Sequence, residues 1–201
     1  MNLRALALAV TLPCLAVSAD WDKEKLQGSL SAPVVIEVYS SFDCPHCRAL
    51  HEGMMQQILK DLVGTGKACV VSREFPLGGP YHKFSREAAN LATAAGRIGR
   101  YQTVADALFK NQQSWAESGK VWDTVASALT PTEQAKVKAL ANDPAVVAEV
   151  QRDYDQGSAA GITQTPTLIV IRQKDGKRYT FGGVPPDYNL FRDFVAVDLA
   201  K

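Results

Sequence analysis

The sequence carries almost no excess of charge: over 201 residues, 22 Lys and Arg stand against 21 Asp and Glu, a formal net charge of +1. It holds no basic run. Nucleic acid and strongly anionic surfaces demand a concentrated positive field, so no nucleic-acid partner is expected. Low-complexity tracts are absent as well. Cysteine is scarce, four in the whole chain, which argues against a fold held by a disulfide framework. Long apolar runs are missing; Ala5 to Leu12 is too short to span a bilayer comfortably. What is plentiful is apolar residues in general, 46% of the chain, enough for one core of ordinary size and an appended subdomain.

Residues 1–19 have the layout of a secretory signal peptide. Arg4 is their only charge, Ala5 to Leu12 form the apolar stretch, and Val17-Ser18-Ala19 supply small residues for cleavage. Pro13 and Thr11 ahead of Cys14 fit a lipidation pattern badly, so lipidation is not expected. The mature chain is expected to begin near Asp20, to lose Cys14, and to work in the periplasm or another exported compartment. Cys44, Cys47 and Cys69 then remain. One close pair in an oxidising compartment points to redox work.

That pair lies in Ser41-Phe42-Asp43-Cys44-Pro45-His46-Cys47-Arg48, where an apolar run, Val34 to Tyr39, meets a helix-forming run, Arg48 to Leu62. The first run is β-branched and aromatic apart from Glu37, as in a strand covered on both faces. Leu50, Met54, Ile58 and Leu62 share one face of the expected helix, which Gly64-Thr65-Gly66 stops. Asp20 to Pro33 reads as a loop-like lead-in, Lys67 to Phe75 as a second central strand. From His82 to Gly161 no strand is expected. Helices are predicted over Ser85–Ala95, Tyr101–Phe109, Val121–Leu129, Thr132–Leu140 and Ala145–Gln156, with Thr130 to Glu133 a capping box and Gly157 and Gly161 as closing residues. Thr167 to Ile171 and Lys177 to Phe181 then form strands, and Pro186 to Leu199 a last amphipathic helix. This order predicts a mixed sheet: a strand-helix-strand unit with a right-handed crossover, a terminal hairpin, and helices on both faces.

Four features together resemble the DsbA-like branch of the thioredoxin superfamily. They are Cys44-Pro45-His46-Cys47 after an apolar strand, Arg73-Glu74-Phe75-Pro76-Leu77 closing the next strand, the inserted helical block, and Gly161 to Thr167 opening the third strand. The fold implied is α/β, a thioredoxin fold with an inserted all-helical subdomain: 20–81 and 162–201 as the two parts of the thioredoxin-like domain, and 82–161 as the insertion. The resemblance also implies that Pro166 is cis and faces the cysteines across a peptide-binding groove, with Thr165 bonding to an extended substrate segment. Relatives often carry a buried acid six positions before the first cysteine, where it assists proton transfer to the resolving thiol. Here that position holds Val38, and strand alternation sends Glu37 to the other face.

The expected activity is a thiol:disulfide oxidoreductase, a dithiol oxidase. Cys44, the more exposed and at the helix N-terminus, is the expected nucleophile, since free N–H groups and the helix dipole favour a thiolate there. Cys47 is expected to be the buried resolving thiol. Pro45 suits the first helical position, and His46 can act on the Cys44 sulfur by charge or hydrogen bond. Cys69 is read as a small buried hydrophobe, and His51 and His82 as surface or subdomain-contact residues. Phe84, Leu91, Tyr101, Leu108, Phe109, Trp115 and Trp122 are read mostly as the core of the insertion. No metal or organic cofactor is expected beyond the Cys44–Cys47 disulfide. The partners implied are reduced or unfolded exported polypeptides and a quinone-linked membrane reoxidant of DsbB or VKOR type; the chain itself is expected to be a monomer. An isomerase or reductase of the same fold, or a module holding a soft metal ion or a peptide without turnover, is the competing reading.

Overall fold

The computed structural model describes residues 23–201; the expected signal peptide and Cys14 lie outside them. A five-stranded mixed sheet organises the chain. A short 3-10 turn, Lys23–Lys25, leads into β1, Leu26–Gln27, followed by β2, Val34–Ser40; α1, Pro45–Glu52; α2, Met54–Ile58; and β3, Ala68–Glu74. Six helices come next: α3, Ser85–Gly96; α4, Tyr101–Lys110; α5, Gln112–Ser118; α6, Val121–Ser127; α7, Pro131–Leu140; and α8, Pro144–Ala159. The chain ends with β4, Thr167–Arg172; β5, Lys177–Gly182; and α9, Tyr188–Asp193, which runs on as a π-helical turn, Phe194–Leu199. The spatial order of strands is β1-β3-β2-β4-β5. Only β2 and β3 are parallel, in register from Val34 opposite Ala68 to Ser40 opposite Glu74. β4 lies antiparallel to both β2 and β5.

Period-two alternation divides the central strands between two apolar layers. Val34, Ile36, Val38, Val70, Leu168 and Val170 pack under Leu50, Ile58 and Leu62 and under Phe191, Val195 and Leu199 of the C-terminal helix. On the other face Val35, Tyr39, Cys69, Val71, Ile169 and Ile171 pack with Phe75 and Ile162, beside α8, which lies against β3. The helical insertion has its own core, with Leu91, Leu108, Phe109 and Trp115, and this core reaches Phe42, Cys44 and Cys47. Phe84 and Trp122 are partly buried against it. Among the described residues no helix is long and apolar enough to cross a membrane.

Several expectations need correction. The lead-in contains β1, whose two residues pair with Val71 and Val70 of β3, too short a strand to show a period. The helix after Cys47 is not continuous. It breaks at Gly53, whose φ of −108° and ψ of −99° are not helical, and the shift puts Met55 rather than Met54 in the core, 5% exposed. A π-helical segment, Leu59–Val63, follows α2. Gly157 does not close a helix. It lies inside α8, where a Cβ would stand 2.7 Å from the Phe75 ring and 2.9 Å from that of Tyr39, so the absent side chain lets helix and strand approach. Gly161, at φ +76°, ends the helix. The last helix starts after Asp187, whose carboxylate accepts from the Leu190 N–H at 3.1 Å, and not at Pro186. α5 lies where no element was expected. The Thr130 capping box forms as read.

Candidate active site

β2 ends at Ser40, and the turn that follows delivers Cys44 as the N-cap of α1, with Pro45 in the first helical turn. Pro suits that place because its missing N–H would have had no partner. Cys44 has extended backbone angles, φ −82° and ψ 120°, and Cys47 lies within the same first turn. Both are free thiols. Cys44 is 5% exposed and Cys47 1%, so the nucleophile expected to be open is itself largely covered, while Pro45 and His46 are exposed beside it.

The Thr165–Pro166 peptide bond is cis, and its loop abuts the cysteines: the Cys44 thiol donates to the Thr165 carbonyl at 3.4 Å. The Pro166 carbonyl accepts from the Gly183 N–H at 2.8 Å, whereas Pro166 has no N–H of its own to give to a ladder. The buried Thr165 Oγ1 completes no hydrogen bond among the described residues, although the hydroxyl acts on the Cys44 sulfur. Thr165 thus has both backbone and hydroxyl turned to one side of the sulfur.

The two thiols differ sharply in acidity. Cys44 is lowered to about 5, first by the Cys47 thiol donating to its sulfur, against burial that opposes ionisation; Thr165 and the backbone N–H groups of Cys47 and His46 add to the lowering. His46 thus acts on the sulfur through its backbone. Cys47 is pushed far up, first by burial and then by the neighbouring Cys44. A thiolate is the attacking and leaving form in disulfide exchange, so this arrangement makes Cys44 reactive and Cys47 a thiol that holds its proton. Cys69, on the opposite sheet face, is fully buried and raised to about 11 by that burial.

Gln112 and Asp43, to which the sequence assigned no role, support the turn, as do His82 and His51, which were expected as surface or subdomain-contact residues. Gln112, on α5, is buried and donates its Nε2 to the carbonyls of Phe42 at 2.6 Å and Cys44 at 2.9 Å. Asp43 Oδ1 accepts from the Ser41 hydroxyl at 2.6 Å, and its other oxygen lies 3.0 Å from His82 Nδ1. His82 therefore ties the loop after β3 to the active-site turn. His51 packs at a tilt of 30° against the Phe109 ring, 4.6 Å between centroids, and contacts Asp106 Oδ1 at 2.8 Å, both from α4, so it joins α1 to the insertion. Beside Pro45 a depression of about 290 Å³ runs between α1 and α5, lined by Asp43, Arg48, Gln112, Gln113, Ala116 and Glu117.

Comparison with known proteins agrees with this geometry. A family model described as thioredoxin matches residues 21–181. Among curated proteins, a "Putative protein-disulfide oxidoreductase" of Rickettsia bellii is 26% identical over 120 residues, 57% of this chain and 45% of the relative; the chain spans less than half the length of such relatives. Among solved structures, alpha-DsbA1 of Wolbachia pipientis superposes with a TM-score of 0.70 at 22% identity, over 88% of this chain and 90% of the other. DsbA2 of Pseudomonas aeruginosa gives 0.65 at 21% identity, over 89% and 97%. At these identities the likeness is one of fold, and that fold includes the helical insertion between β3 and β4.

Proposed function

The chain belongs to the thioredoxin family, and on that premise we propose that it is an exported, periplasmic thiol:disulfide oxidoreductase that donates a Cys44–Cys47 disulfide to folding polypeptides. The observation that carries this reading is the split between the thiols, Cys44 lowered to about 5 and Cys47 pushed up. A stabilised Cys44 thiolate favours the reduced protein, so the oxidised protein gives its disulfide away readily. A substrate thiolate attacks Cys44 Sγ, the Cys44–Cys47 bond breaks, and Cys47 leaves and takes up a proton. A second substrate thiolate then attacks its partner sulfur in the mixed disulfide, and Cys44 leaves as thiolate. Two electrons pass from the substrate to the protein. Thr165 and Pro166 are assigned to the substrate segment: an extended chain can bond to the Thr165 backbone and hydroxyl, and Pro166 leaves that side of the strand open. A quinone-linked membrane protein of DsbB or VKOR type would restore the disulfide, with no other cofactor required.

Replacing Cys44 with Ser should abolish oxidation of a reduced model peptide, and an undiminished rate would refute the reading. The direction of electron flow is tested by equilibrating the pair with glutathione. A potential near the DsbA value of about −120 mV supports a donor, and one near the thioredoxin value of about −270 mV assigns the site to a reductase instead.

A further inference from the structure

Reading Cys44 and Cys47 as an exchange pair leaves one step unserved, and this inference rests on that reading. Cys47 departs as a thiolate when a substrate opens the disulfide, yet its buried sulfur strongly favours the thiol. The proton must be given, and taken back whenever Cys47 attacks a mixed disulfide on Cys44. Val38 occupies the place of the acid that serves relatives. Glu37 points to the opposite face, where Arg73 and Arg178 hold its carboxylate at 3.0 and 2.8 Å.

A second buried carboxyl lies on the correct side. In the parallel ladder Val38 is opposite Ser72 and Ser40 opposite Glu74, so alternation turns these four side chains to the face covered by α1. There a cavity of about 40 Å³ is lined by Cys47, Ser40, Ser72, Tyr101, Gln102 and Glu74. One water needs roughly 10–15 Å³ on this measure and two to four polar partners; the cavity satisfies both conditions. Gln102 Nε2 is buried there with no acceptor among the described residues, which leaves it available to such a water.

We propose that Glu74 is the proton relay of the resolving thiol, exchanging a proton with Cys47 Sγ through water in this cavity. When the disulfide opens, protonated Glu74 gives its proton to the water chain, the chain gives one to the Cys47 thiolate, and Glu74 is left as carboxylate. When Cys47 attacks a mixed disulfide on Cys44, the proton travels back, a Cys47–Cys44 bond forms, and the other thiolate leaves.

The surroundings of Glu74 suit both directions. Burial pushes its carboxyl up to about 7, against the opposing pull of Lys25 and the Tyr101 hydroxyl. Lys25 Nζ, from the N-terminal 3-10 turn, is 4.0 Å from its Oε1, and the Tyr101 hydroxyl of α4 donates to the same oxygen at 2.7 Å. Asp153 and Glu149 of α8 face it and raise its affinity for a proton, Arg73 is its neighbour on β3, and His51 of α1 lines the same cavity.

The test mixes reduced protein with oxidised glutathione across pH and follows separately the attack by Cys44, which releases one glutathione, and the resolution by Cys47, which releases the second. Wild type should show an inflection near pH 7 in the second step. E74Q should lose that inflection and slow the second step at pH 7 by about a hundredfold, the range of general acid–base contributions, with the first step unchanged. Y101F removes a donor that favours the carboxylate and should move the inflection to higher pH. Equal slowing of both steps by E74Q, a wild-type profile in E74Q, or an unmoved inflection in Y101F would overturn the relay. Failure of wild-type protein to release the second glutathione would instead sink the exchange-pair reading.

Discussion

Cys44 and Cys47 are three positions apart and titrate in opposite directions because one sulfur receives hydrogen bonds and the other is buried behind it. The pH consequence follows from the sign. A group whose folded pKa is depressed stabilises the fold fully above its ordinary value, 9.0 for this thiol, and the contribution is lost as pH falls through about 5. The disulfide form has no such group, so the melting temperature of the reduced form minus that of the oxidised form should climb as pH rises from 5 to 9. Glu74 works with the opposite sign: its raised carboxyl makes the folded state hold an extra proton, so its contribution falls as pH rises from 4.5 through about 7. It is present in both redox forms and largely cancels in the difference. Parallel thermal melts of the two forms measure this, and a difference flat in pH would contradict the thiolate assignment. The reactive pair, Pro45 and the Thr165–Pro166 step were legible because adjacent residues carry their chemistry. The raised carboxyl of Glu74 was not, since it comes from burial, with Lys25 and Tyr101 pulling against it, and no local spacing reveals that environment.

At the level of elements, α5 is the piece that sequence periodicity missed, and it holds the turn at Cys44 through Gln112. Its run Gln112–Ser118 offers only Trp115 as a large apolar residue, fully buried with its indole N–H donating to the Leu108 carbonyl at 2.7 Å, and one aromatic makes no period. Replacing Gln112 with Ala removes the donor to two carbonyls. Cys44 keeps the Arg48 N–H at 3.1 Å, but the Phe42 carbonyl is left without its donor, a loss of about 1–3 kcal/mol. Urea unfolding should show it, with a shift in the pH midpoint of Cys44 alkylation as the turn loosens; an unchanged midpoint would mean that Gln112 only stabilises. Gly157→Ala is the matching probe of close approach. A Cβ 2.7 Å from Phe75 forces α8 away from β3, at a cost of about 1–3 kcal/mol, readable as a fall in melting temperature. Long strands with even alternation and helices with Pro or capping starts could be predicted; Gly53 and Gly157 could not, because a glycine in a sequence does not say whether it breaks a helix or lets one come near.

For the whole molecule, the least predictable feature is the charged network under α8. Lys25 Nζ, buried, lies 2.8 Å from Glu149 and 2.9 Å from Asp153. Arg73 bridges Asp153 and Glu37, and Arg97 links Glu24 and Glu149. Removing one member of such a group strands its partners, so Lys25→Met should cost about 3–5 kcal/mol, measured by chemical unfolding; a neutral result would mean that water reaches these carboxylates. Composition predicted the balance of charge but not its burial, because pairs as far apart as Lys25 and Asp153 leave no trace in a short window of sequence. The same latch bears on how the chain is made. Lys25 leaves the ribosome early, while Glu149 and Asp153 follow about 125 residues later, and β4, which must lie beside β2, comes later still. At synthesis rates of about 5–20 residues per second, the first strand waits several seconds for the segments that complete it. A chain threaded through a membrane in that order would reach the far side with its Cys44–Cys47 turn emerged before the sheet beneath it can close.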